Sequence, residues 1–86
     1  RTYPNPFNPK VTFAFKIIYP ATVGLNIYDL SGRQIKRINK SFYHSGKCQL
    51  NWDAKNENGN IVPTGTYIYE LVINQKTKRG KIVYLK

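Results

Sequence analysis

Apolar residues fall on every second position through most of this chain, in short runs separated by turn-forming residues. Val11, Phe13, Phe15 and Ile17 alternate with Thr12, Ala14 and Lys16. Val23, Leu25 and Ile27 alternate with Gly24, Asn26 and Tyr28, and Cys48, Leu50 and Trp52 with Gln49 and Asn51. Tyr67, Tyr69, Leu71 and Ile73 alternate with Ile68, Glu70 and Val72. A period of two puts one set of side chains on one face of a strand, where it can be buried while the other set meets water. No stretch of about ten residues carries a helical stripe.

The breaks between runs hold turn formers: Pro20-Ala21, Asp29-Leu30-Ser31-Gly32, Ser45-Gly46, Asn58-Gly59 and Pro63-Thr64-Gly65. Asn58-Gly59 is the strongest hairpin signal among them. Gln34 to Asn39 forms a less regular run, with Ile35 and Ile38 three apart, which predicts a bulge or an early strand end. Ile61-Val62 has room for a short strand at most. A polar tip, Asn74 to Gly80, leads into a last strand, Lys81 to Lys86. Short strands with turn signals about every 8–12 residues and no helix predict an all-β antiparallel sandwich of about seven strands. Its expected core is Phe13, Phe15, Leu25, Ile27, Leu50, Trp52, Tyr69 and Leu71, with Trp52 as anchor. The tyrosine hydroxyls must reach the sandwich ends or a partner, because a buried unpaired hydroxyl costs about 1–3 kcal/mol.

The 86 residues form one domain with one thin core. That excludes a two-lobed cofactor enzyme with a deep cavity and a lid. With 41% hydrophobic and 21% charged residues the composition is that of a globular chain. No apolar run approaches a membrane span and no signal-peptide pattern opens the chain. Arg1-Thr2-Tyr3-Pro4 reads as cut from something longer.

Fourteen Lys and Arg against four acids give a formal charge of +10. The positive charge falls mainly in two acid-free blocks, between Leu30 and Trp52 and over the last eleven residues. A solvated basic surface accounts for it, without specific nucleic-acid binding or membrane insertion. The sharper alternative is polyanion binding, with Tyr19, Tyr43 and Tyr84 as stacking partners.

Catalytic and metal chemistry find little support. Cys48 is the only cysteine, which excludes an intrachain disulfide or a cysteine metal site, and its alternation with Leu50 and Trp52 makes it a small core residue. As a nucleophile it would need His44, which reads as an exposed loop residue beside Tyr43. Asp53, Asn56 and Asn58 before Gly59 resemble a calcium loop, but the spacing and the missing twelfth-position acid do not fit an EF-hand. Turn chemistry explains them better, with Asp53 accepting amide hydrogens within its own loop. The acids Asp29, Asp53, Glu57 and Glu70 are scattered, and no glycine-rich phosphate loop occurs. The expectation is a domain without catalysis, cofactor or metal.

A set of motifs adds a resemblance. Tyr3-Pro4-Asn5-Pro6-Phe7-Asn8-Pro9 precedes the first strand; Leu25-Asn26-Ile27-Tyr28-Asp29 with Gly32-Arg33, Trp52-Asp53 with Asn58-Gly59, Pro63-Thr64-Gly65-Thr66-Tyr67 and Lys81 to Lys86 follow in order. The set resembles the C-terminal sorting domain of type IX secretion cargo proteins, and equally the related Ig-like module named after the flagellar hook-cap protein. The resemblance implies a seven-stranded Ig-like sandwich at the C-terminus of a large secreted bacterial protein. It also implies delivery to the cell surface through outer-membrane secretion machinery, as a sorting and anchoring signal. Recognition would rest on Pro4-Asn5-Pro6, on Gly65-Thr66-Tyr67 and on the last strand with Lys81 and Lys86. Ala54 departs from the pattern, standing where glycine often follows Trp-Asp.

The residues carry their own reading beside this. Three prolines hold residues 1–9 extended and withhold amide donors, so this proline-rich opening segment packs along the sandwich with Phe7 as a plug, and the sandwich domain is residues 10–86. A proline-rich ligand for an aromatic groove is the alternative. Gly65 is expected in a backbone conformation closed to other residues. The competing functional expectation is a structural or adhesive Ig-like module that pairs with copies of itself through edge strands, or accompanies a carbohydrate-active domain.

Overall fold

The computed structural model describes residues 9–85. Six strands follow one another without a helix among the described residues: β1 (Val11–Ile17), β2 (Ala21–Tyr28), β3 (Gln34–Tyr43), β4 (Gly46–Trp52), β5 (Gly65–Ile73) and β6 (Lys76–Tyr84). They form two antiparallel sheets: β1 with β4, and a four-stranded sheet in the order β3-β2-β5-β6.

The core lies between the sheets. Val23, Leu25 and Ile27 from β2, Leu50 and Trp52 from β4, Tyr67 and Leu71 from β5, and Ile82 and Tyr84 from β6 are buried. The alternation that predicted the strands also sorts their faces, and Trp52 is fully buried as expected. Phe13, Phe15 and Tyr69 are only half-buried, packed against the core from its flank. The reason is the strand count: β1 belongs to a sheet of two, and no further strand among the described residues flanks it.

Six strands stand where about seven were expected. The missing one is Ile61-Val62, which shrinks to a single bridge between Lys55 and Ile61. The segment has a turn on each side, and Pro63 cannot donate to a ladder. Val62 is nonetheless buried, held by its amide donating to the Ala54 carbonyl at 2.8 Å.

Two strands are longer than their patterns suggest. β6 starts at Lys76, because the β5–β6 turn is only Asn74-Gln75, with Asn74 in the left-handed region at φ 54°. Its first residues are polar and exposed on a sheet edge, so no alternation betrays them. Within it Gly80 lies opposite Tyr69, whose ring covers it: a Cβ at Gly80 would come within 2.5 Å of the ring and its hydroxyl. β3 continues to Tyr43, with register irregularities against β2 that fit the three-residue spacing of Ile35 and Ile38.

Candidate functional site

Gly65-Thr66-Tyr67, singled out by the sequence, opens β5. Gly65 pairs with Tyr84 and is not among the glycines of positive φ, which corrects the expectation of a special backbone angle there. Nothing lies within 4 Å of a Cβ placed on it either. Tyr67 is buried, and its hydroxyl donates to the Pro63 carbonyl at 2.6 Å, four residues upstream. Its ring meets Trp52 edge-on, with centroids 6.0 Å apart. A tyrosine at the start of a strand bonded back to the preceding backbone is the corner brace of many Ig-like sandwiches. Burial, and then the charge of Asp29, push the Tyr67 phenol above its ordinary pKa.

Trp52 is the other half of this brace. Its indole N–H donates to the Lys55 carbonyl at 2.9 Å, and the Asp53 carboxylate accepts the Lys55 amide at 3.1 Å. The chain reverses through Ala54, fully buried at φ 60°. That geometry explains why glycine suits the position after Trp-Asp: left-handed backbone costs a side-chain-bearing residue about 1–2 kcal/mol. Farther along the loop, the Asn56 side-chain oxygen accepts amides from Asn58 and Asn60 at 3.0 Å each. Of the side chains that resembled calcium ligands, Asp53 and Asn56 thus have an oxygen engaged by their own turn. Glu57 reaches Lys36 at 3.3 Å, tying the loop to β3.

The remaining acids brace the fold as well. Asp29 accepts the Ser31 hydroxyl at 2.6 Å, the Ser31 amide at 3.0 Å, and the Arg33 amide and guanidinium at 2.9 and 3.2 Å. These bonds, led by Ser31 and the Arg33 amide, lower its pKa from 3.8 to about 2. Gly32, at φ 91°, lets the loop close around that carboxylate. Glu70 lies on the outer face of the large sheet, in one cross-strand row with Asn26 and Arg79. It accepts Asn26 at 3.0 Å and Arg79 at 2.9 and 2.7 Å, and both hold its pKa below the usual carboxylate range. Tyr28 adds a longer bond to the same carboxylate at 3.3 Å.

The other expected site residues are dispersed. Pro4, Asn5, Pro6 and Lys86 lie outside the described residues, as does Phe7; of the opening segment only Pro9 is described, and it is buried. Lys81 is exposed on β6, opposite Ile68, and enters no ion pair among the described residues. Cys48 is half-buried rather than core, and its Sγ donates to the His44 backbone carbonyl at 3.4 Å. The His44 ring packs edge-on against Phe42. Of the tyrosines considered for stacking, Tyr84 is buried, Tyr43 is half-buried against Phe15, and Tyr19 is exposed. No group of three or more His, Cys, Asp or Glu placed to hold a metal occurs among the described residues. The sequence reasoning missed the cleft between β1 and β6, because an uncovered flank leaves no mark on the pattern of either strand.

Fold and bracing together define a small Ig-like β-sandwich, built around a tryptophan and a tyrosine corner. The model of the FlgD Ig-like domain matches residues 7–78. The chain belongs to that family, the Ig-like domain of the flagellar hook-cap protein. A solved structure of FlgD from P. aeruginosa is similar, with 32% identity and a TM-score of 0.67 over 81% of this chain. The chain spans 57% of the length of that FlgD chain. No protein of curated function matches.

These findings correct the expectation of a type IX sorting and anchoring signal: the family identified is the hook-cap one. The physical reason lies in the motifs that carried the resemblance. Among the described residues, Trp52, Asp53 and Tyr67 brace the corners and Asn58-Gly59 forms a turn, so these motifs report the fold. The alternative of a self-pairing adhesive module gains no support from the comparisons either.

Proposed function

We propose that this domain is a non-catalytic scaffold module of the flagellar hook-cap type, serving hook assembly by holding its place in a larger protein and presenting its surface to partners. The observation that carries this reading is the 32% identity to FlgD sustained over 81% of the chain at a TM-score of 0.67. The internal geometry agrees: Asp29, Glu57 and Glu70 are each paired with a basic side chain, and Asp53 with its own turn, so the acids are spent on bracing. The proposal keeps a location outside the cytoplasm, without membrane insertion.

A domain exchange tests it. Residues 9–85 replace the matching part of FlgD in a P. aeruginosa strain lacking its own copy, and hooks are counted by electron microscopy. Restored hooks are the expected result. A chimera that is stable and secreted yet builds none refutes the reading.

A further inference from the structure

The two sheets are unequal, and the difference leaves a cleft. Among the described residues β1 pairs only with β4, so none of them occupies its other edge, where alternate residues direct backbone N–H and C=O groups outward. On that side residues of β1, β5 and β6 line a common space. This space is a cleft of about 570 Å³, floored by Phe13, Phe15 and Tyr69. Phe13 and Tyr69 pack together with ring centroids 5.2 Å apart, and both remain half-exposed.

The rim of this cleft is basic. Lys16, Lys78 and Lys81 line it and no acid does. None of the three forms an ion pair among the described residues. The acids elsewhere are already engaged, and the chain carries a net charge of +10. A second copy would bring lysines to lysines, since charges at an edge keep like strands apart.

We infer that the β1 edge is a docking site for an extended segment of a partner protein, with apolar side chains alternating with Asp or Glu. The segment adds to β1 as the third strand of its sheet. Its backbone satisfies the free edge, and its apolar residues cover Phe13, Phe15 and Tyr69. Its carboxylates share the outer face of β1 with Lys16, and the lysines that rim the cleft add to the attraction. This is strand addition, in which backbone pairing supplies affinity and alternate side chains supply specificity. The cleft exists whatever assembly the domain serves, so the inference does not depend on the hook-cap proposal.

The test uses capped peptides as long as the seven residues of β1, valine alternating with glutamate or with lysine. Binding to the ¹⁵N-labelled chain is followed by NMR. The expected result is that the glutamate peptide binds at least tenfold more tightly than the lysine peptide, with shifts confined to β1 and to cleft residues of β5 and β6. Methylating the peptide amides that face β1 abolishes binding, and methylating the alternate set does not. Lys16→Glu combined with Lys78→Glu reverses the charge preference while the circular dichroism stays that of the parent; if that variant fails to fold, the peptide series on the parent chain decides alone. Equal binding of the two peptides, tolerance of both methylation patterns, shifts centred on the outer face of the large sheet, or a concentration-dependent dimer through β1 would each overturn the inference.

Discussion

Tyr67→Phe isolates the corner brace more cleanly than any other single change. The substitution keeps the ring, its burial and its edge-on contact with Trp52, and removes only the hydroxyl that donates to the Pro63 carbonyl at 2.6 Å. A hydrogen bond of this kind contributes about 0.5–1.5 kcal/mol net. Pro63 is exposed, so water reaches its carbonyl in the variant and the loss stays within that range. Tyr67→Ala also removes the ring and its contact, and costs about 3–5 kcal/mol. A domain of this size has roughly 4–13 kcal/mol in all, so the first change is a measurable dent and the second approaches unfolding. Urea denaturation followed by the fluorescence of Trp52, the only tryptophan, reads both. The phenylalanine variant should lower the midpoint without changing the slope, and lower Tm by about 4–8 °C per kcal/mol lost. A phenylalanine variant as stable as the parent would show that the hydroxyl braces nothing. The Gly65-Thr66-Tyr67 segment would then need another explanation.

Ala54→Gly relieves left-handed strain of about 1–2 kcal/mol but gives up a buried methyl of about 0.8 kcal/mol, so its stability should stay within about 1 kcal/mol of the parent. Ala54→Val, β-branched at φ 60° in a closed site, should cost about 2 kcal/mol or more; the same urea titration reads both. The Asp29 pKa is lowered on folding, so its contribution is complete above pH 3.8 and is lost as the pH falls toward about 2. Asp29→Asn should therefore destabilise the domain at neutral pH, and the gap from the parent should close across that window in thermal melts. With a charge of +10, the chain should bind duplex DNA weakly at low salt and release it near physiological salt; sequence-selective retention in a filter-binding assay at that salt would show that the basic surface is specialised.

The strands legible in the sequence are those with one face in the core, because burial on one side imposes the alternation. β1, β2, β4 and β5 are of this kind. The start of β6 was not legible, since Lys76, Thr77, Lys78 and Arg79 are exposed on an edge. Trp52 was legible as the anchor because a single large apolar residue in a middle strand has nowhere else to go. The brace at Tyr67 was not legible for a physical reason: an exposed and a braced tyrosine look alike until the carbonyl four residues upstream is seen to fold back on the hydroxyl. The acids read as scattered because their partners come from other strands or from turns. Only the fold brings Asn26 and Arg79 to Glu70.

The protein is a two-plus-four sandwich whose motifs brace the corners and whose β1 has one edge unpaired by any described residue. Amide hydrogen exchange along β1, measured by NMR on the uncomplexed chain, tests this most directly. Alternation is expected over Val11–Ile17, with amides bonded to β4 protected and the intervening ones exchanging fast, while Val23–Tyr28 of β2 and Ile68–Ile73 of β5, flanked by strands on both sides, are protected without such alternation. Uniform protection along β1 would contradict it, because the edge would then already be covered.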